Sequence, residues 1–424
     1  MLFRSKPLQP LTVWYSGGYV QDEWRPRRDV TVTAGLRLDA SVFAPTAYQN
    51  VKADALTFRD SDGSPVQYKS GKMPDSKILW SPRVAMNWDV AGKQRTQVRV
   101  GTGLFTGPPL YVWISNQIGN TGVLIGEISA QNTTAFPFNP DPAKYKPTNV
   151  TGEGAASFEL DVTDPNFKFP QVWRTNLAVD HKLPGNITGT LEFLYNKDIN
   201  GIYYINANLP AAQAAFTGVD ARPRWTSNRI NNTAGNVITN AIVMKNEDVG
   251  KSWNVSASLS KNFQGLTLRG AYSYGDAKNT IDPGSTAFSS FANNQQSADP
   301  NNPGLGRSAY AQGHRFFWQA TYSKQYFGLG ATTVSAFWEA KPSVQNGSTT
   351  ASYVFNGDMN GDGASGNDLI YIPKDTSEMN FVQFTSGSRT FTPAEQAAAF
   401  EAYIQQDAYL STHRGQYAER GSVW

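Results

Sequence analysis

Residues 171–205 read QVWRTNLAVDHKLPGNITGTLEFLYNKDINGIYYI, and their alternation decides the fold. Apolar side chains share one face of each arm around the turn at 184–186, with His181 as the misfit on the incoming arm. Pro presets φ in such a turn, and Gly and Asn tolerate positive φ. Each arm is roughly ten residues long, which suits a tilted strand that crosses a bilayer. Because the apolar face begins and ends in Trp173 and Tyr195, we predict a membrane-crossing β-hairpin with interfacial aromatics.

Composition supports a β-structured membrane protein. Aromatic residues make up 12% of the 424 residues, although only 40% are hydrophobic and the mean hydropathy is −0.44. No apolar run of about twenty residues exists, so a helical membrane protein is excluded, whereas a transmembrane barrel needs only every second strand residue to be apolar. The chain has no cysteine and a net charge of +3. These values exclude a thiolate metal site and give no electrostatic indication of nucleic-acid binding.

Four further segments repeat the hairpin pattern, at 13–39, 80–106, 253–274 and 314–339. Each hairpin has a short turn at one end, and connections of about forty to sixty residues join them at the other. Outer-membrane barrels show this asymmetry, with long loops on the extracellular side. The sequence therefore predicts an all-β, antiparallel transmembrane β-barrel of about ten to twelve strands with long extracellular loops. Aromatics about nine residues from the turns favour it over the alternative, a secreted β-sandwich: Tyr195, Trp253, Tyr274 and Trp338.

The period of two also assigns the two faces of the wall, since a one-residue slip exposes every charge to hydrocarbon. The predicted lipid-facing residues are Val179, Leu191, Val255, Leu268 and Val334. The predicted lumen-facing residues are Arg99, Arg174, Glu192 and Arg269.

The connections carry weaker signals. We expect a short helix at 211–215, a short strand at 240–245, and a capped helix that opens at Thr392-Pro393-Ala394-Glu395 and runs to about Gln406. Tyr111 and Trp113 have two readings, stacking on sugar rings or loop packing, and packing is favoured.

A loop near the C-terminal end has the spacing of a calcium site. Asp358, Asn360 and Asp362 stand at positions one, three and five, and Gly363 at position six. Position twelve is Leu369 rather than the bidentate Glu, and Asp368 precedes it. We predict a weak Ca²⁺ site from Asp358, Asn360, Asp362 and Asp368; the alternative is an ordinary polar turn.

Several segments together resemble TonB-dependent outer-membrane receptors, in the branch that carries an N-terminal carboxypeptidase-regulatory-like domain. Two of them, at 19–24 and 35–39, resemble strands of that barrel. The motifs that carry the resemblance are YVQDEW (19–24), GLRLD (35–39), SPRVAMNWD (81–89), FKFPQVWRTN (167–176), GDGASGNDLIYIP (361–373) and HRGQY (413–417).

The resemblance implies a 22-stranded barrel with an N-terminal plug, energised by TonB. We expect residues 1–424 to be a partial barrel domain, because neither a signal peptide, a plug nor a terminal strand is recognised. The chain should then form a partly open sheet, with residues 1–12 and 410–424 lying loosely near its edges. Expected partners are outer-membrane lipid, the TonB system and a surface lipoprotein, and not nucleic acid.

An enzyme is not indicated, since no nucleophile elbow, phosphate loop or paired-histidine motif occurs, and no catalytic residue is assigned. The leading hypothesis is uptake of a large or scarce nutrient across the Gram-negative outer membrane. The alternatives are an outer-membrane structural or adhesion barrel and the secreted β-sandwich, which binds carbohydrate. Apart from the Ca²⁺ loop, no cofactor is predicted.

Overall fold

A computed structural model describes residues 10–125, 133–141, 144–145, 155–344 and 347–423. Its main feature is one antiparallel sheet in which the strands follow chain order, with the short strand Gly306–Arg307 added to the eighth. We call the ten long strands the wall: β1 Val13–Arg27, β2 Val30–Phe43, β3 Ile78–Asp89, β4 Thr96–Thr106, β5 Gln171–Leu183, β6 Ile187–Ile199, β7 Lys251–Asn262, β8 Leu266–Asn279, β9 Gly313–Tyr326 and β10 Gly330–Ala340.

The wall is open. Within the described ranges, β1 pairs only with β2 and β10 only with β9. This confirms both the expected strand number and the partly open sheet. All five predicted hairpins are present. All ten strands belong to one sheet, whereas a β-sandwich would divide them between two packed sheets.

The register of the strands aligns their apolar side chains into one continuous face of the wall. Val179 of β5 pairs with Val98 of β4 and with Leu191 of β6, and Leu191 pairs with Ala257 of β7. The same face holds Val255, Leu268 and Val334, and it holds His181, whose Nδ1 lies 2.8 Å from Thr96 Oγ1. The predicted set therefore shares one side, as the alternation requires.

The opposite face is polar and internally paired. Arg99 Nε lies 2.8 Å from Asp180 Oδ2 across β4 and β5, and Thr190 Oγ1 donates to the same carboxylate at 2.7 Å. Arg174 Nε donates to Asn196 Oδ1 at 2.8 Å. The register also puts Glu192 on this face, opposite Ala178. These contacts are typical of a water-filled barrel interior.

Aromatic side chains meet on the apolar face near the long-loop end of the wall. Tyr195 is the register partner of Trp253, and Trp253 lies edge-on to Tyr274 with ring centroids 5.5 Å apart. Trp338 pairs with Trp318 in register. The predicted aromatics thus form part of a belt, as interfacial side chains do.

The described parts of the long connections fold into a layer of their own, which we call the loop layer (residues 44–77, 107–125, 133–141, 144–145, 155–170, 200–250, 280–312, 341–344 and 347–423). Its largest element is a second sheet in which Asn236–Glu247 pairs with Gly201–Asn206 and Asn232–Thr233 and runs parallel to Ser157–Thr163. The predicted strand at 240–245 is thus confirmed and longer. The end of the opening stretch, 201–205, leaves the wall after Asn200, whose φ is +56°, to join this sheet. The long connections thus contain short strands and helices of their own.

Among the described residues, almost all of the hydrophobic core lies in the loop layer. One cluster joins Phe158, Leu160, Ile205, Ile238 and Val243, each at most 3% exposed. A second cluster joins segments from 73 to 364, and a third lies in the segment from 372 to 418. A long connection is stable in this form because it buries its own apolar surface.

The remaining elements are short. In place of the expected helix at 211–215, Ala214–Ala215 pairs with Pro223–Arg224, so that prediction was wrong. None of the described helices is long and apolar enough to cross a membrane. The helices are α1 Val51–Asp54, α2 Val112–Gly119, α3 Ala287–Ala292, α4 Pro393–Gln406 and α5 Ala408–Thr412, with 3-10 turns at Val90–Gly92 and Thr376–Glu378. The other two-stranded pairs are Phe58–Arg59 with Pro65–Val66, Tyr371–Ile372 with Gln416–Tyr417, and Phe384–Ser386 with Arg389–Phe391.

α4 begins as predicted. The Thr392 hydroxyl accepts the Glu395 N–H, and Glu395 accepts the Thr392 N–H at 2.8 Å, so both halves of the capping box are formed. Its residue Ile404 is fully buried.

The C-terminal segment is firmly packed, so the expectation of a loose end over 410–423 was wrong. Leu410 and Ala418 are buried in the third cluster. Arg420 Nη1 donates to Asn294 Oδ1 at 2.6 Å, and Val423 exchanges hydrogen bonds with Ala351. These contacts tie the segment to connections that lie far away in sequence. Residues 1–9 and 424 lie outside the described ranges.

Candidate functional site

The predicted calcium loop lies within the loop layer and is anchored at both ends. Gln296 pairs with the loop as a parallel bridge: its N–H donates to the Asn367 carbonyl, and its carbonyl accepts the Leu369 N–H, both at 2.9 Å. Val354 pairs with Leu369 as an antiparallel bridge. The Trp225 N–H donates to the Asn360 carbonyl at 2.7 Å. Two distant segments and the adjacent residue Val354 therefore hold the loop in place.

Asp358 shapes the first half of the loop. Its Oδ1 accepts the Gly361 N–H at 2.7 Å, and its Oδ2 accepts the Gly363 N–H at 3.0 Å. Gly361 and Gly363 have φ values of +82° and +93°, which only glycine adopts at low cost. Both carboxylate oxygens of Asp358 are thus engaged in folding the backbone.

Asp368 closes the loop. Its Oδ2 accepts the Met359 N–H at 2.8 Å, while its Oδ1 lies 3.7 Å from Arg222 Nη1. Both side chains are buried, and Arg222 also contacts Asp220 Oδ1 at 2.9 Å. Burial raises the pKa of Asp368, and the Arg222 charge opposes that rise. Asp368 therefore links the loop to the buried arginine.

Asp362 lies at the centre of the loop, 4% exposed. Its Oδ1 accepts the Ala364 N–H at 2.8 Å. Its Oδ2 meets three side-chain amide nitrogens, of Asn360 at 3.2 Å, Asn367 at 3.3 Å and Gln296 at 3.5 Å. Burial, joined by the charges of Asp358 and Asp368, raises the pKa of Asp362 to about 6. This carboxylate is the one on which polar side chains converge.

The four predicted ligands thus share one loop but do not converge on one point. Among the described residues, no three His, Asp or Glu side chains form a group that could hold a metal ion. Any cation in this loop would need amide oxygens beside Asp362. Gln296 and Asn367, which reach Asp362, were missed from the sequence. Gln296 lies outside the loop motif, and its only signal is the polar run 293–296.

The other candidate groups serve packing. Tyr111 lies edge-on to Phe43 and Phe169, with ring centroids 6.0 and 5.8 Å away, and Trp113 Nε1 donates to the Gly284 carbonyl at 2.9 Å. These contacts favour the packing reading of both aromatics. His314 Nδ1 contacts Tyr272 at 2.7 Å, and His413 Nδ1 contacts the Tyr409 carbonyl at 2.8 Å.

Two cavities lie at opposite ends of the wall. One, of about 420 Å³ in the loop layer, is lined by side chains that include Asp282, Arg307 and Arg420. The other, of about 480 Å³ at the short-turn end, is lined by side chains that include Asp180 and His181.

The chain is similar to several solved structures at low sequence identity. The copper transporter OprC is 10% identical, with a TM-score of 0.41 over 78% of this chain and 35% of its own. The FrpB iron transporter from Neisseria meningitidis (F5-1 variant) is 12% identical, with a TM-score of 0.39 over 79% of this chain and 34% of its own. A mutant ferric enterobactin receptor PfeA from Pseudomonas aeruginosa, solved with enterobactin, is 9% identical, with a TM-score of 0.36 over 78% and 42%. The chain spans less than half the length of each of these proteins.

No curated protein sequence matches the chain. The profile described as "Outer membrane beta barrel domain" does match, over residues 4–341. That range contains all ten strands of the wall with its alternating faces, aromatic belt and one-sided loops. The chain belongs to the outer membrane β-barrel domain family and is a protein of the outer membrane.

Proposed function

We propose that the chain forms part of the wall and outer loops of a TonB-dependent transporter that takes up a large or scarce nutrient. The observation that carries this proposal is the asymmetry of the molecule. Turns such as 184–186 close one end of the wall, whereas the other end bears a folded layer with its own hydrophobic clusters. A barrel that only anchors a protein in the membrane needs no such layer, whereas a receptor needs a structured surface that meets its ligand.

The open edges support a longer barrel. In hydrocarbon, each unpaired backbone N–H or C=O costs several kcal/mol, so β1 and β10 need further neighbours. We propose that residues 1–424 are a partial barrel domain, with the remaining strands, a plug and an N-terminal domain supplied by other segments of a longer protein. Its proposed partners are outer-membrane lipid, the TonB system and a surface lipoprotein. No enzymatic role is proposed.

The transport proposal is tested by uptake into cells that carry the full-length protein, with and without a functional TonB. The probes are labelled nutrients too large for general porins: ferric siderophores, cobalamin, oligosaccharides and oligopeptides. We expect saturable accumulation of one class, lost without TonB. An otherwise identical strain that lacks the gene is the control.

The alternative is a structural or adhesion barrel built on the same wall. It predicts that deletion changes cell attachment or envelope integrity, while uptake of every probe is the same with and without TonB. That result would refute the transport proposal and leave the membrane location intact.

A further inference from the structure

Two buried amide groups beside Asp362 leave their oxygens without a hydrogen-bond partner. Gln296 and Asn367 are each 1% exposed, and within the described structure neither Gln296 Oε1 nor Asn367 Oδ1 has a partner. Buried polar atoms in proteins are normally paired, so two such orphans at one carboxylate require an explanation.

The bonds that orient these amides are weak. Their nitrogens lie 3.5 and 3.3 Å from Asp362 Oδ2, whereas charge-assisted N–H···O bonds are normally about 2.7–2.9 Å long. Turning each amide by 180° exchanges its oxygen and nitrogen with almost no movement of heavy atoms. Rotating both amides removes these two long hydrogen bonds and places the side-chain oxygens of Gln296 and Asn367 beside Asp362 Oδ2.

Asn360 behaves differently and serves as an internal comparison. Its Oδ1 accepts the Asp362 N–H at 2.9 Å, so turning this amide would set two donors against each other. Asp358 uses both of its oxygens on backbone N–H groups. Asn360 and Asp358 therefore fold the loop, and Gln296 and Asn367 remain available as ligands.

The distances from Asp362 Oδ2 to the two amide groups select the ion. Oxygen ligands at right angles lie about 3.3–3.7 Å apart around Ca²⁺, whose bonds are about 2.3–2.6 Å, and about 2.9 Å apart around Mg²⁺. After the turn, the oxygens of Asn367 and Gln296 lie near the nitrogen positions, 3.3 and 3.5 Å from Asp362 Oδ2. These separations match Ca²⁺.

We propose that the loop binds Ca²⁺ through Asp362 Oδ2 and the side-chain oxygens of Gln296 and Asn367. Water or backbone oxygens complete the six to eight ligands that Ca²⁺ takes. Asp358, Asn360 and Asp368 shape the loop around the ion. Because only one ligand is a carboxylate, we expect a dissociation constant for Ca²⁺ of about 10⁻⁴–10⁻³ M, as in extracellular modules.

The test is calorimetry with CaCl₂ on the full-length protein in detergent, after treatment with a chelator. Asp362→Asn removes the charged ligand and should weaken binding at least tenfold. Gln296→Glu adds a second carboxylate and should strengthen binding at least tenfold. Asp62→Asn is the matched control, because the Asp62 carboxylate also caps a turn, at Ser64 N–H, and should leave binding unchanged.

The Gln296→Glu variant keeps the test decisive if Asp362→Asn fails to fold. Without an ion, its carboxylate would face that of Asp362 and only destabilise the loop. Absence of Ca²⁺ binding in the wild type would overturn the proposal. So would weaker binding in Gln296→Glu, or equal binding in a folded Asp362→Asn variant. MgCl₂ at the same concentration should give less than a tenth of the Ca²⁺ affinity, and equal affinity would also contradict the assignment.

Discussion

The wall and the loop layer bury apolar side chains in different ways. On the wall, Leu191 and Val334 remain 57% and 62% exposed to the surroundings of the sheet. In the loop layer, Ile205 and Ile238 are fully buried by protein. Lipid serves as the apolar solvent for the wall, whereas the loop layer must supply its own core because it lies in water.

The difference is visible in the strands themselves. Wall strands alternate, because one face meets lipid and the other meets the polar lumen. In the strand Asn236–Glu247, the consecutive residues 241–244 are all buried, at 2% exposure or less. A strand covered on both faces reads as a continuous apolar run rather than an alternating one. One chain thus contains both kinds of strand, distinguished by what covers them.

The largest effect should follow from removing part of the loop-layer core. Leu160→Ala should cost about 2–5 kcal/mol, because a side chain that is 1% exposed leaves a cavity. Leu329→Ala, at a turn of the wall and 93% exposed, should stay within about 0.5 kcal/mol. Chemical denaturation, monitored by hydrogen exchange of the loop-layer amides, measures the loss of stability in both variants. Similar costs would show that the loop layer is not an independent core.

A charge on the apolar face tests the wall. In a complete barrel, Leu191→Arg should cost about 2–4 kcal/mol near the bilayer midplane. Ser256→Arg, on the polar face and opposite Glu192 in register, should cost much less. Folding titrations in lipid vesicles measure the difference. If cysteines at 191 and 192 reacted equally with a membrane-impermeant label, the assignment of the faces would fail.

The smallest effect should come from an isosteric change in the loop layer, Asp161→Asn. Burial, with the neighbouring Glu159 charge, raises the pKa of Asp161, and Asn120 Nδ2 donates to Asp161 Oδ2 at 2.6 Å. The folded state therefore binds this proton more tightly than the unfolded chain, whose aspartates have a pKa of about 3.9. Loop-layer stability should fall as the pH rises above that value and through the raised pKa.

Asp161→Asn removes this titration, so its stability should depend less on pH and exceed that of the wild type at neutral pH. Hydrogen exchange of the Ser157–Thr163 amides at several pH values measures it. Parallel pH profiles for the two proteins would assign the dependence to other groups.

Alternation alone was sufficient to predict the wall. The period of two in 171–199, repeated in four other segments, predicts the hairpins, the two faces and the aromatic belt, because lipid and water each dictate one face of a strand. The capping box of α4 was equally local, since Thr392 and Glu395 stand three residues apart. The spacing of Asp358, Asn360 and Asp362 predicted a calcium loop, but the sequence did not indicate that Gln296 and Asn367 lie beside Asp362.

The tertiary structure decided what depends on contacts between distant segments. Ser157–Thr163 runs parallel to Asn236–Glu247. No local sequence pattern predicts a pairing strand that lies so far along the chain. Arg420 reaches Asn294, and Gln296 reaches Asp362, for the same reason. The periodicity of a strand shows which of its faces meets lipid and which meets water. It does not report which connections cover one another, because that depends on the mutual fit of side chains from every loop.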